Sequence, residues 1–190
     1  MNIRAVDNLA PIRNQINSLV SSNSRVIELG CGDGNLLFKL APKIKSGLGI
    51  DKSVSLIGSA IKQKQKNNIH NIDFIRKELG EDYMPCGIWD VSLASLFFHV
   101  IRTSDAVFLL NKLKELSNEI IICAICSPAT CNQAPLLWFD QRFSTHYKNF
   151  VSYKKFGYME GILAEARFSS LFIHNTYLPF LKIYQIKCAQ

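Results

Sequence analysis

Three glycines at every second position, Gly30, Gly32 and Gly34, follow the apolar run Val26-Ile27-Glu28-Leu29, which carries one acid. Glycine has no Cβ and tolerates positive φ, so this stretch can turn tightly and let a ligand approach its backbone. The run before the glycines reads as a strand and Asn35-Leu-Leu-Phe-Lys-Leu40 after them as a helix, the order in which a parallel sheet opens a nucleotide site. The dinucleotide fingerprint is Gly-x-Gly-x-x-Gly, which is not the spacing here, and the turn holds no lysine, which excludes a P-loop. Glu28 beside the turn would repel a pyrophosphate and suits a cationic ligand. Asp51 stands 21 residues beyond Gly30, about where an acid accepts hydrogen bonds from two ribose hydroxyls with its two oxygens.

Two other groups of residues have chemical potential. Cys123-x-x-Cys126, followed by Cys131, has the look of a metal or redox motif, but it lies in or beside the apolar run Glu119-Ile-Ile-Ile-Cys-Ala-Ile-Cys126. On a strand that spacing sends the two thiols to opposite faces, and no histidine or second pair completes a zinc set, so no metal is expected. The segment from Trp138 to Tyr153 interleaves aromatics with Asp140, Arg142, His146 and Tyr147. It reads either as a cover over an acceptor pocket or as an amphipathic helix packing Trp138, Phe139, Phe143, His146 and Phe150 on the sheet.

These residues need elements to carry them. Helix is expected over Asn8–Val20 (capped by Asp7), Asn35–Lys45, Ser53–Lys66, Ser104–Leu116 (capped by Ser104) and Met159–Arg167. Strand is expected over Arg25–Leu29, Gly47–Ile50, Ile72–Arg76, Trp89–Leu96, Glu119–Ala124, Leu171–Tyr177 and Leu181–Lys187. Strands alternating with helices give a doubly wound, mostly parallel α/β sheet, and the short turn Leu178-Pro-Phe180 makes the last two strands an antiparallel hairpin. The ligand then lies at the carboxyl ends of the parallel strands. One domain over residues 1–190 is expected, with an insert at about 127–158 covering the substrate.

The glycine turn with its acid, Asp51 one βαβ step later, and five parallel strands closed by a hairpin resemble the class I S-adenosylmethionine-dependent methyltransferases, over roughly residues 20–126 and 159–188. The resemblance implies a Rossmann-like fold and S-adenosyl-L-methionine as cofactor, bound by Glu28, Gly30, Cys31, Gly32, Gly34, Asp51, Lys52, Glu78, Leu79, Ser95 and Leu96. Glu78 stands where an acid meets the adenine amino group in similar enzymes, and Leu79 is placed to pack on the adenine face. Ser95-Leu-Phe-Phe98 emerges where the methyl group would sit, without the prolines of the amino-directed nucleic-acid methyltransferases. His99 follows, and a neutral imidazole there can take a proton from an attacking acceptor. Expected catalytic residues are therefore His99, His146 and Tyr147, with Phe98, Asp140, Arg142 and Tyr153 on the acceptor.

Net charge is +7, with 15 basic and 12 acidic residues in 1–127 and 7 and 3 in 128–190. The stretch Arg142–Lys155 holds Arg142, Lys148, Lys154 and Lys155 and no acid. Six cysteines without an export signal, and apolar runs too short to span a bilayer, suggest a soluble cytoplasmic protein with reduced thiols. The leading expectation is in-line methyl transfer to a small-molecule acceptor. RNA is the alternative, since charge and stacking suit single strands, and a non-catalytic cofactor-binding partner protein is a third.

Overall fold

The computed structural model describes residues 9–128, 146–168 and 170–188. The strands are β1 (Arg25–Leu29), β2 (Ser46–Asp51), β3 (Ile72–Arg76), β4 (Trp89–Ser95), β5 (Ser117–Ile125), β6 (Phe172–Asn175) and β7 (Leu181–Lys187). They form one sheet in the order β3-β2-β1-β4-β5-β7-β6. β1 to β5 are mutually parallel, whereas β7 runs antiparallel to both β5 and β6. This is the Rossmann-like α/β arrangement with an antiparallel end.

The central strands are near-continuous apolar runs because helices cover both faces of such a sheet. Ile27, Leu29, Ile50, Leu93 and Ile120 through Ala124 are all buried. The last four residues of β1 are buried without alternation, and one of them is Glu28. The winding reverses between β1 and β4, and the pairs Leu29↔Ile50 and Leu29↔Ala94 bring the carboxyl ends of β1, β2 and β4 level. Asp51↔Arg76 puts the end of β3 at the same height.

Six helices are described: α1 (Ala10–Leu19), α2 (Asn35–Leu40), α3 (Val54–Lys66), α4 (Thr103–Leu116), α5 (Tyr147–Lys155) and α6 (Tyr158–Glu165). α1 packs on α2, α3 on β3, and α4 on α5 and α6. Among the described residues no helix is long and apolar enough to cross a membrane.

Several local expectations are corrected. α2 ends at Leu40, not Lys45, because Pro42 has no N–H with which to continue the helical ladder. α4 begins at Thr103 with Arg102 in the cap position, and no side-chain cap bond is made by Ser104. The Arg102 guanidinium instead pairs with the buried Asp105 carboxylate at 2.7 and 3.0 Å. α1 begins after Leu9, and the expected cap Asp7 lies outside the described residues. β6 is four residues long, shorter than Leu171–Tyr177. Residues Tyr147–Lys155, which overlap the segment that reads either as a cover or as an amphipathic helix, form the helix α5. Cys123 and Cys126 are both fully buried free thiols, with burial pushing the Cys123 thiol up to about 12.

Candidate active site

The glycine turn is stitched to the end of β2. The N–H groups of Gly30 and Cys31 both donate to the Ile50 carbonyl, at 2.8 and 3.0 Å. Gly32 N–H donates to Asp51 Oδ2 at 3.0 Å, and Ser53 N–H to Asp51 Oδ1 at 2.8 Å. Asp51 therefore sets the turn and the start of α3 together, while Ser53 caps α3 by accepting from Leu56 N–H. Gly30 sits at φ +67°, and a Cβ there would lie 2.2 Å from Phe97 Cδ2. The missing side chain is what allows the Phe97 ring to lie across the turn.

A cleft of about 340 Å³ opens beside this turn. Gly30, Asp51, Lys52, Ser53 and Leu56 line one side, Lys77, Glu78 and Leu79 the next, and Leu96, Phe97, Val100, Ile101 and His146 the other. Thus six expected cofactor residues, Gly30, Asp51, Lys52, Glu78, Leu79 and Leu96, meet in one cavity. Lys52 and Glu78 form an exposed ion pair at 3.1 Å across its rim. Such a solvated pair adds little to stability and leaves both side chains free to turn to a ligand.

Glu28 lies under the turn and is 3% exposed. Burial pushes its carboxyl up to about 8; the Arg13 charge opposes this, Asp33 and Asp51 reinforce it, and the Leu37 backbone pulls it down. Its Oε2 is buried without a hydrogen-bond partner. An unpaired buried acceptor is costly, and an ammonium is the partner that both neutralises and satisfies it. The donor set thus fits a ligand with a cation at the Gly30–Gly34 end, ribose hydroxyls at Asp51 and a flat apolar group near Leu79. S-adenosylmethionine has those three parts in that order.

The acceptor half departs further from expectation. Leu96 takes φ +55°, so the chain leaves β4 through a left-handed residue while its N–H donates to Cys123 O at 2.8 Å. The turn inverts the alternation: Phe97 lines the cleft, and Phe98, expected on the acceptor, is 1% exposed in the core. Tyr153, also expected there, is buried on α5 and donates its hydroxyl to the Ile125 carbonyl at 2.5 Å. Its phenol holds α5 to the end of β5. His99 is 7% exposed and packed edgewise against Phe150 and Tyr153, with ring centroids 6.4 and 6.2 Å away. Burial, with the nearby His146 adding, pushes its imidazole down to about 4, and its Nδ1 has no partner.

His146, at the start of α5, does line the cleft; Tyr147 beside it is half-buried and outside the lining. Glu28, Ser95, Cys31, Gly32 and Gly34 are not on the lining and stand in the strand ends and turn beside it. Asp140 and Arg142 lie outside the described residues. Phe97, Val100, Ile101, Lys77, Ser53 and Leu56 were not anticipated. For Phe97 the sequence holds no signal, since its close approach to Gly30 appears only in the fold. Among the described residues no group of three or more His, Cys, Asp or Glu is placed to hold a metal.

The sequence pattern of the family described as "Methyltransferase domain" matches residues 20–172. A 23S rRNA (uracil(1939)-C(5))-methyltransferase of Haemophilus influenzae is 32% identical over 111 residues, 58% of this chain. The chain spans 25% of that relative's length. Among solved structures, a SAM-dependent methyltransferase from Aquifex aeolicus superposes with TM-score 0.66 at 13% identity, covering 98% of this chain and 97% of that one. Magnesium protoporphyrin IX methyltransferase from Synechocystis, solved with bound SAH, gives TM-score 0.67 at 18% identity, covering 100% and 89%. At such identities the structural likeness speaks for the fold, and the sequence match speaks for the family. With Gly30 of its glycine turn and Asp51 on one cleft and Glu28 buried two residues before that turn, the chain belongs to the methyltransferase domain family, in the class I, S-adenosylmethionine-dependent branch.

Proposed function

We propose that this protein transfers the methyl group of S-adenosylmethionine to RNA. The cofactor supplies a sulfonium methyl for in-line displacement, and the chain's part is to bind, orient and keep water out. Asp51 takes the ribose hydroxyls, Leu79 and Glu78 the adenine, and Glu28 with the glycine turn the amino-acid end. Leu96, Phe97, Val100 and Ile101 make an apolar wall beside the reacting methyl. Holding the reactants in line is worth roughly 7–11 kcal/mol in favourable cases. His146 is the polar side chain on the lining beside that wall.

The observation that carries the RNA acceptor is the relative that acts on 23S rRNA. α5 supports it: its outer face carries Lys148, Lys154 and Lys155, all exposed, with no acid on the helix. That helix starts at the mouth of the cleft, where a phosphate backbone delivering a base would pass. A small-molecule acceptor is the second reading, favoured by the apolar wall, which would also enclose a compact aromatic or alkyl group.

The test is methyl transfer from tritiated S-adenosylmethionine to total RNA and, separately, to a small-metabolite extract. Ribonuclease-sensitive label is expected. Label confined to small metabolites replaces RNA with the second reading. Lys148→Glu with Lys155→Glu should cut RNA affinity and lower the salt dependence by about two phosphate contacts, leaving S-adenosylhomocysteine affinity unchanged.

A further inference from the structure

The chain leaves β4 through a backbone conformation that leucine rarely adopts. Leu96 stands at φ +55°, with its N–H donating to the Cys123 carbonyl at 2.8 Å. Beyond this strained residue Phe97 joins the cleft lining, while Phe98 turns into the core. Gly30 meets the Phe97 ring from the other side. It sits at φ +67°, and a Cβ there would fall 2.2 Å from Phe97 Cδ2 and 2.8 Å from Cγ. The ring therefore fills the space that a side chain at position 30 would claim. Two local departures, a left-handed leucine and a bare glycine, converge on the placement of one ring. Strain of this kind persists only where the surrounding structure enforces it, and it gathers at sites with a task.

The cofactor reading says what passes that ring. Ribose hydroxyls at Asp51 and an amino-acid end along the glycine turn leave the sulfur between them. Gly30 is the turn residue on the lining, and its amide donates to Ile50 O, the carbonyl just before Asp51. A chain running from Asp51 to the turn thus passes Gly30 and the ring that lies across it. The carboxylates on the lining are both engaged: Asp51 accepts from the Gly32 and Ser53 amides, and Glu78 pairs with Lys52. Leu96, Val100 and Ile101 on the same wall are aliphatic, and among the described lining residues Phe97 is the one benzene ring.

We infer that Phe97 reads the charge on the cofactor's sulfur: its π system attracts the sulfonium and has no such hold on the neutral thioether left after transfer. The negative face of an aromatic ring favours a nearby cation, most strongly where water is excluded, whereas an aliphatic side chain of similar volume only excludes water. The ring therefore biases the exchange of spent for fresh cofactor towards the fresh one.

This rests on the reading of the cleft as an S-adenosylmethionine site, and the choice of ligands separates the two. S-adenosylmethionine and sinefungin, which carries an ammonium in place of the sulfonium, are cationic at that point; S-adenosylhomocysteine is neutral there. The test is titration calorimetry of wild type and Phe97→Leu with all three. Phe97→Leu should weaken both cationic ligands by about three- to thirtyfold, the scale of one cation–π contact, and leave S-adenosylhomocysteine within about twofold. Retained S-adenosylhomocysteine binding also shows that the variant is folded. Pentafluorophenylalanine at position 97 keeps the ring and reverses the sign of its face. It should give the same pattern, and it decides the matter if the leucine variant does not fold. A loss shared equally by the three ligands, or no loss for any, makes the ring a packing residue and overturns the inference. If wild type binds none of them, the cofactor reading and the inference fall together.

Discussion

On the β1–β2–β3 side of the cleft, polar groups are fixed by one another over short stretches of chain: the Gly30 and Cys31 amides on Ile50, the Gly32 and Ser53 amides on Asp51. On the β4–α5 side the lining is Leu96, Phe97, Val100, Ile101 and His146, held by packing between segments some fifty residues apart. The polar half is specified by backbone hydrogen bonds, which tolerate few residue types. The apolar half needs only shape, which many sequences supply. A common cofactor and a variable acceptor need this division of labour.

Breaking the polar half should have the largest effect. Gly30→Ala places a Cβ into Phe97 at φ +67°, whereas Gly32→Ala, at φ +57°, meets only Leu56 Cδ1 at 3.9 Å. Backbone strain of about 1–3 kcal/mol applies to both, and overpacking of about 1–3 kcal/mol only to Gly30. Thermal unfolding should show the larger loss for Gly30→Ala, with S-adenosylhomocysteine binding abolished. Equal losses for the two variants would mean that the Phe97 contact is relieved by rotation and carries no cost.

Next in size is Asp51→Ala. Removing the carboxylate leaves the Gly32 and Ser53 amides unpaired and, on the proposed reading, takes away the ribose acceptor. Affinity for S-adenosylhomocysteine should fall about 10- to 100-fold, from about 1.5–3 kcal/mol for hydrogen bonds to a charged group. Asp51→Asn should retain Gly32 through its carbonyl and lose less. If Asn and Ala behave alike, the ribose and not the turn explains the effect.

The same division decided what the sequence could reveal. Gly30, Gly32, Gly34, Asp51, Glu78 and Leu79 are legible because turn geometry and strand ends dictate residue type locally. Phe97 was mistaken for Phe98 because side-chain alternation holds only within the strand, and Leu96 adopts a left-handed φ that no leucine advertises. α5 was half visible: the His146, Phe150 and Tyr153 spacing fits one helical face, but the polar residues between them hide its bounds. The seven strands themselves were readable from apolar runs, and among the misread boundaries are helix ends, set by Pro42 after α2 and by the Arg102–Asp105 pair at the start of α4.

Glu28 sharpens the comparison through pH. With its carboxyl raised to about 8, the folded protein keeps a proton that the unfolded chain releases from about pH 4.5 upward. Stability contributed by this group therefore falls as pH rises between those values. Pairing with an ammonium ionises the group, so binding expels that proton. Affinity for S-adenosylhomocysteine should rise by up to about tenfold per pH unit towards pH 8 and then level off. Glu28→Gln should flatten the profile and unfold at a higher temperature at pH 8, while binding more weakly. A wild-type profile flat from pH 6 to 8 would mean that Glu28 stays protonated in the complex.

The smallest effect is expected at His99, where the apolar half meets its own exception. A base must reach the acceptor, yet this imidazole is buried and packed edgewise against Phe150 and Tyr153, with Nδ1 unpaired. Held down to about 4, it is neutral at pH 7, and the folded protein binds fewer protons there than the unfolded chain between about pH 6.5 and 4. Its contribution to stability is lost as pH falls through that window, opposite in sign to that of Glu28. His99→Leu keeps the volume and removes the orphaned nitrogen, so stability at pH 7 should change by less than ~1.5 kcal/mol. The variant should gain on wild type as the pH is lowered towards 4. Methyl transfer should slow less than about tenfold, whereas loss of a general base costs about 100-fold or more. A fall of that larger size, with stability unchanged, would return His99 to the chemistry and make the apolar half of the cleft catalytic as well as shaping.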